Sequence, residues 1–255
     1  MKKLIAIIVL AVASISSYAI EVTEHYDSLY AMGNKAYQEQ KFEEALQYYT
    51  SILESGLQSA DVFYNTGNAH YKLGQSTRAI LYYEKALKLN PNDKDITYNL
   101  ELANRQIVDK IETLPIPFYK EWWSEIFNSL PVDIFAMLSI VFLLLAVMGV
   151  LLFLRTNHSM IKRLSFFLML VFIMGSGFSF LLAKAQYKAN YQSNNALIIS
   201  SRVSIYSAPN TTSTTLFIVH DGLKVGILKS ENKWNKIILP DGSIGWIPEE
   251  ALIVI

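Results

Sequence analysis

The chain has 255 residues, a mean hydropathy of +0.25 and only 17 % charged side chains, an unusual balance for a wholly soluble protein, so part of it is expected to lie in lipid. Lys+Arg and Asp+Glu stand at 22 each, and no basic stripe interleaved with aromatics occurs, which excludes a nucleic-acid partner. The absence of cysteine excludes disulfides, thiolate zinc sites, a cysteine nucleophile and lipoprotein attachment, so the folded parts must be held by packing.

Met1-Lys2-Lys3, the apolar run from Leu4 to Val12 and the small-residue stretch Ser14 to Ala19 have the form of a secretory signal over 1–19, with cleavage expected after Ala19. The chain that follows is therefore expected outside the cytoplasm. Residues 26–110 then contain an internal repeat with an offset of 34 residues. Leu29 to Tyr37 aligns with Phe63 to Tyr71, and Ala45, Tyr48, Tyr49 and Leu53 align with Ala79, Tyr82, Tyr83 and Leu87. Asp27, Asp61 and Asp95 are one period apart, as are Tyr30, Tyr64 and Tyr98; the acids are read as first-turn or capping residues.

These repeats resemble the tetratricopeptide family, with Gly33, Gly67, Ala45 and Ala79 where paired helices approach closely and Asn90-Pro91-Asn92 closing the second unit. The resemblance implies an all-α tetratricopeptide solenoid over 20–112, whose first helices line a concave groove. It makes Tyr30, Asn34, Tyr37, Tyr64, Asn68, Tyr71, Tyr98 and Arg105 the candidate peptide-binding residues. Packing does not demand amides at 34 and 68, so both are expected to be free ligand contacts whose replacement leaves the fold intact. The last helix, about 94–111, departs from the pattern at Glu101 and is expected to be a polar, solubilising cap. No groove lysines stand where relatives grip C-terminal carboxylates, and that activity is not expected.

Residues 113–131 place Phe118, Trp122, Trp123, Ile126 and Phe127 on one helical face, the composition of an interfacial segment or of a greasy linker packed on the neighbouring domain. Two charge-free apolar runs follow, Ile134 to Leu154 and Leu164 to Ala183, read as the cores of transmembrane helices over 132–154 and 164–184, each about the ~20 residues that cross a hydrocarbon core. The loop between them, 155–163, carries Arg155, Lys162 and Arg163 and no acid, which places it in the cytoplasm and both flanking domains in the periplasm of a bacterial inner-membrane protein. Gly175, Ser176, Gly177 and Ser179 form a small-residue notch suited to the first span or to another helix.

After a polar tether, 185–195, residues 196–255 read as short strands separated by Pro209-Asn210, Asp221-Gly222 and Asp241-Gly242. The order of a Ser-Ala-Pro turn, an Asp-Gly turn, a Trp-led strand, an Asp-Gly hairpin and a closing Gly-Trp-Ile-Pro resembles bacterial SH3-like domains, which implies a small all-β barrel. Tyr206, Pro209, Trp234, Trp246 and Pro248 are its groove candidates, for a Pro-rich peptide or a wall glycopeptide. The alternative is that Trp234 and Trp246 fill the barrel's core.

His25, His70, His158 and His220 fall in four different parts of the topology and cannot form one metal site. No glycine-rich phosphate loop, Gly-x-Ser-x-Gly elbow or His-Glu-x-x-His helix is present, so neither catalysis nor a cofactor is expected. The whole order of segments resembles the E-type proteins of the Bacteroides aerotolerance (Bat) operon. That resemblance implies von Willebrand A-type membrane proteins and a MoxR-type ATPase as partners, and a role in oxygen tolerance. The rival expectation is a peptidoglycan-binding envelope module that recruits a cell-wall enzyme.

Overall fold

A computed structural model describes residues 25–111, 130–191 and 194–255, with the side chains of 189–191 outside that description. The expected signal sequence and all but the last two residues of the aromatic segment lie outside the described residues. The protein combines a tetratricopeptide-like helical region, two long apolar helices and a C-terminal antiparallel sheet of the SH3-like kind.

Five helices build the solenoid: α1 (25–38), α2 (Phe42–Glu54), α3 (Ala60–Lys72), α4 (Ser76–Leu89) and α5 (Lys94–Asn104). The helices pair as closely as they do because the repeat puts glycine opposite a tyrosine ring. A Cβ on Gly33 would lie 2.5 Å from the ring of Tyr49, and one on Gly67 would lie 2.6 Å from that of Tyr83, and both rings are fully buried. Ala45 and Ala79 sit beneath the same crossings with no exposed surface. The Asp93 carboxylate starts α5 by accepting from the backbone N–H groups of Asp95 and Ile96, at 3.0 and 3.1 Å. Where a helix running to about residue 111 was expected, α5 ends at Asn104, and residues 105–111 turn away to lie along the sheet domain.

The apolar helices α6 (Val132–Arg155) and α7 (Ser159–Tyr191) pack against each other as a hairpin, and each is long and apolar enough to cross a membrane. The expected notch serves mainly this pairing. Gly175 admits the ring of Phe142, the hydroxyl of Ser139 reaches the Ser176 carbonyl at 3.1 Å, and the Ser176 hydroxyl returns to the Ser139 carbonyl at 2.9 Å. Gly177 faces open space. Helix α7 continues through Tyr191, into the stretch expected to be a polar tether.

The sheet domain has strands β1 (Asn195–Ile198), β2 (Val203–Tyr206), β3 (Thr215–Val219), β4 (Lys224–Glu231), β5 (Trp234–Ile238), β6 (Ile244–Pro248) and β7 (Leu252–Val254). They hydrogen-bond in the order β3-β2-β6-β5-β4-β1-β7, all antiparallel. Ile198, Ile205, Val219, Val225, Ile237, Leu239 and Ile247 form its core. Strand β7 carries no turn signal and was not legible in the sequence; it closes on β1 through the pairs Ala196–Val254, Leu197–Ile253 and Ile198–Leu252.

This domain is docked on the solenoid. Leu197, Ile253 and Ile255 enter the apolar cluster that holds Ile80, Leu81 and Ala86, and Ile107 and Ile111 bridge to the barrel from the segment after α5. Polar contacts ring the seam: Thr77 hydroxyl to Asp221 carboxylate, Lys224 ammonium to Glu84 at 2.6 Å, Lys88 ammonium to the Ile255 carbonyl, and the His220 ring to Asp109 at 2.9 Å. Thr77, Leu81, Glu84 and Lys88 recur at spacings of four, three and four, which puts them on one face of α4. Gly222 must be glycine at this seam, because its φ is +90° and a Cβ would run into Ile107.

Replacing Gly67 by Leu drives a branched side chain into the buried Tyr83 ring, with an expected loss of about 1–3 kcal/mol and a lower melting temperature by circular dichroism. The cysteine-free background gives a direct reading of the seam. A short thiol-to-thiol crosslinker should join Thr77→Cys to Asp221→Cys within one chain, and adding Leu81→Lys should abolish that product while the helical signal persists.

Candidate functional site

The face shared by α1, α3 and α5 carries a constellation built twice, one period apart. In the first copy the Tyr49 hydroxyl donates to Asn34 Oδ1 at 2.8 Å, while Asn65 Nδ2 donates to the same oxygen at 3.0 Å and to the Tyr30 hydroxyl at 2.9 Å. In the second, Tyr83 donates to Asn68 at 2.8 Å, and Asn99 donates to Asn68 at 2.9 Å and to Tyr64 at 2.8 Å. Each asparagine therefore ties its own unit's second helix to the next unit's first helix. The amides at 34 and 68 are not free surface groups as expected; they satisfy buried phenols and hold the repeat interval. Burial holds the Tyr49 and Tyr83 phenols far above their ordinary pKa, so both remain donors.

Around this lattice lies a cavity of about 310 Å³ lined by Tyr37, Tyr64, Asn68, Tyr71, Lys72, Tyr83, Asn99 and Leu102. Tyr30 and Asn34 occupy the equivalent place one unit earlier, and the Tyr71 hydroxyl accepts from Gln106 Nε2 at 2.9 Å. Tyr98 stands 60 % exposed on α5, open for contact. Arg105 is set apart: it follows the last helical residue and lines a different depression with Glu101, Asn104 and Lys110. His70 is buried, stacks on Tyr82 at 5.3 Å and bonds Gln75 at 2.7 Å; its pKa is lowered chiefly by burial, as befits a packed ring.

On the barrel, strand register decides where the aromatic residues point. Tyr206 pairs with Trp246, Trp246 with Lys236, and Trp234 with Pro248, and residues directly opposite in an antiparallel ladder share a face. Asn235, Ile237, Gly245 and Ile247 alternate with them and are buried. The tryptophans thus lie on the outer, half-exposed face, with the Tyr206 ring edge-on to Trp234 at 5.5 Å, and the core-filling alternative does not hold. A two-residue hairpin turn, Asn232-Lys233 with φ of 47° and 65°, sets Trp234 at the start of β5. Pro209 is exposed in the loop beyond β2, three residues past Tyr206.

A tetratricopeptide-like solenoid and a small barrel with an outward aromatic face are interaction modules, of kinds that typically carry no catalysis. Residues 60–93 match the tetratricopeptide repeat, and residues 200–253 match the bacterial SH3 domain. A comparison with curated proteins returns no match. The seam between the modules was missed from the sequence, although a signal existed. The α4 stripe Thr77, Leu81, Glu84, Lys88 corresponds one period earlier to Glu43, Gln47, Thr50 and Glu54, so an apolar residue replaces a polar one on a face that a lone solenoid would leave in water.

Replacing Asn34 and Asn68 by Ala strands a buried phenol and an amide in each unit. A loss of about 1–3 kcal/mol per position is expected, read as an early thermal transition of the helical signal. A melting curve within a degree of wild type would remove the amides from the fold's support.

Proposed function

We propose that the protein is a non-enzymatic, membrane-anchored scaffold that binds envelope proteins through the concave groove of its solenoid. The observation that carries this reading is the doubled tyrosine–asparagine floor, which remains open because the barrel sits on α4's other face. The hairpin crosses a bacterial inner membrane twice, its basic loop 155–163 is cytoplasmic, and the solenoid (20–112) and barrel (196–255) both stand in the periplasm after removal of a signal at 1–19. Docking of the two modules supports that topology, since they can touch only on one side of the bilayer. The resemblance to aerotolerance-operon E-type proteins suggests von Willebrand A-type proteins and a MoxR-type ATPase as the neighbours such a scaffold would gather, in tolerance of oxygen or upkeep of the envelope.

A second reading is favoured by the outward face of Tyr206, Trp234, Trp246 and Pro248. There the barrel grips peptidoglycan and the solenoid recruits a wall enzyme.

The test uses the full chain in native membranes. A phosphatase reporter fused after Asn195 should be active and one after Asn157 inactive. A photo-crosslinker at Tyr98 should give adducts with envelope proteins that one at Gln47, on the polar outer face of α2, does not. Equal adducts from both positions would remove the groove from the scaffold reading. Retention on purified sacculi that is lost with Trp246→Ala would favour the second reading.

A further inference from the structure

Resting on the groove reading above, we infer that the occupant is a basic segment in the polyproline II conformation, with Lys or Arg at every third residue, laid across α1, α3 and α5. Three observations on the groove support this chemistry.

The first is donor supply. The Tyr30, Tyr64 and Tyr71 hydroxyl oxygens each accept an amide N–H, from Asn65, Asn99 and Gln106, and none of the three phenol hydrogens has an acceptor among the described residues. Burial first, and the nearby carboxylates after it, raise the pKa values of Tyr30 and Tyr64 against the pull of the amide bonds, so these hydroxyls stay protonated. They form a row of donors, and their complement is a chain with free carbonyls. A polyproline II segment makes no internal hydrogen bonds and offers every carbonyl it has.

The second is charge. Asp61 and Asp95 stand one helical turn before Asn65 and Asn99, the residues that bond the Tyr30 and Tyr64 hydroxyls, so the following unit brings a carboxylate toward each phenol, and Asp93 adds its charge at Tyr64. Asp61 and Asp95 are both exposed, and neither carboxylate has a hydrogen bond or ion pair among the described residues. Asp27 lies one period earlier on α1. Lys72 lines the cavity at the other end of α3, so a second row of cations is disfavoured and the basic side chains must keep to one side.

The third is interval. Helices α3 and α5 touch, Asn99 bonding both Tyr64 and Asn68, and helices in contact stand about 8–10 Å apart; one turn of polyproline II, three residues at ~3.1 Å, advances about 9 Å and returns to the same face. An extended strand covers that distance in three residues but turns the third side chain to the opposite face. With a basic residue at every third position, the threefold helix presents successive basic side chains to Asp61 and Asp95 alike.

The experiment is fluorescence anisotropy on the full chain in detergent, with labelled peptides of repeating Lys-Ala-Pro, repeating Glu-Ala-Pro, and a Lys-Ala-Pro composition with the lysines grouped together. The regular basic peptide should bind best, weaken with added salt, and lose about tenfold in affinity to the Asp61→Asn/Asp95→Asn variant. Asp61→Glu/Asp95→Glu should restore much of it. Equal binding of basic and acidic peptides, or an unaffected double Asn variant whose melting curve is unchanged, would overturn the inference. If the Tyr98 photo-crosslinker still captures its neighbours while no peptide preference appears, the groove reading survives and the basic polyproline occupant does not.

Discussion

The arrangement of this protein depends on one face of α4. A tetratricopeptide unit buries its inner helix face against its partner and presents its outer face to water, and the first unit does so with Glu43, Gln47, Thr50 and Glu54. In the second unit Leu81 replaces the glutamine and is buried, so the face is complete only with Leu197, Ile253 and Ile255 of the barrel against it. The helix end is matched too. Helix α4 has neither a side-chain cap nor an acid in its first turn, where α2 has Glu43 and Glu44, and the barrel's Asp221 brings the missing carboxylate to Thr77. A small barrel with a slender core gains apolar burial from the same contact, so each module supports the other.

The groove depends on a second, internal economy of residues. Asn34 and Asn68 were legible in the sequence as a periodic pair, yet the period alone could not say whether they served a ligand or the fold. Sidedness settles it: each amide oxygen takes one donor from behind, Tyr49 or Tyr83, and one from the next unit, Asn65 or Asn99. The groove floor is therefore made rigid by the groups that form it, and the hydrogens left for a visitor belong to tyrosines at its surface. Rigidity of this kind favours a stiff ligand, because neither side loses much freedom on binding.

What the sequence made legible followed from periodicity. The interval of 34, the two charge-free runs and the strands bounded by Asp-Gly turns each carry a signal within the segment itself. What it hid involved pairing between distant segments. The outward direction of Trp234 and Trp246 was readable in principle, since Lys236 shares their face and a lysine does not face a barrel core, but only the register of β5 with β6 brings Tyr206 and Pro248 beside them. Strand β7 has three residues and no turn before it that its sequence announces, and it exists because β1 offers a free edge. The early end of α5 likewise reflects tertiary demand, with Ile107, Asp109 and Ile111 drawn onto the barrel and away from a helical path.

These contacts together make the barrel the link between the apolar hairpin and the groove. Helix α7 runs on from the apolar stretch through Lys184 to Tyr191, roughly 10 Å of further helix, and only residues 192–194 separate it from β1, a reach of at most ~14 Å between Tyr191 and Asn195. The barrel must then stay close above the hairpin. The solenoid, seated on the barrel through α4, inherits that position whatever path the chain takes between Ile111 and Leu130. At the same level the Gln186 side chain is buried and donates to the Leu130 carbonyl at 3.1 Å, joining the start of one apolar helix to the far end of the other. In the proposed membrane setting, a partner drawn into the groove is thus held at a fixed height by rigid contacts on both modules, which is the mechanical requirement of a scaffold that presents one membrane protein to another.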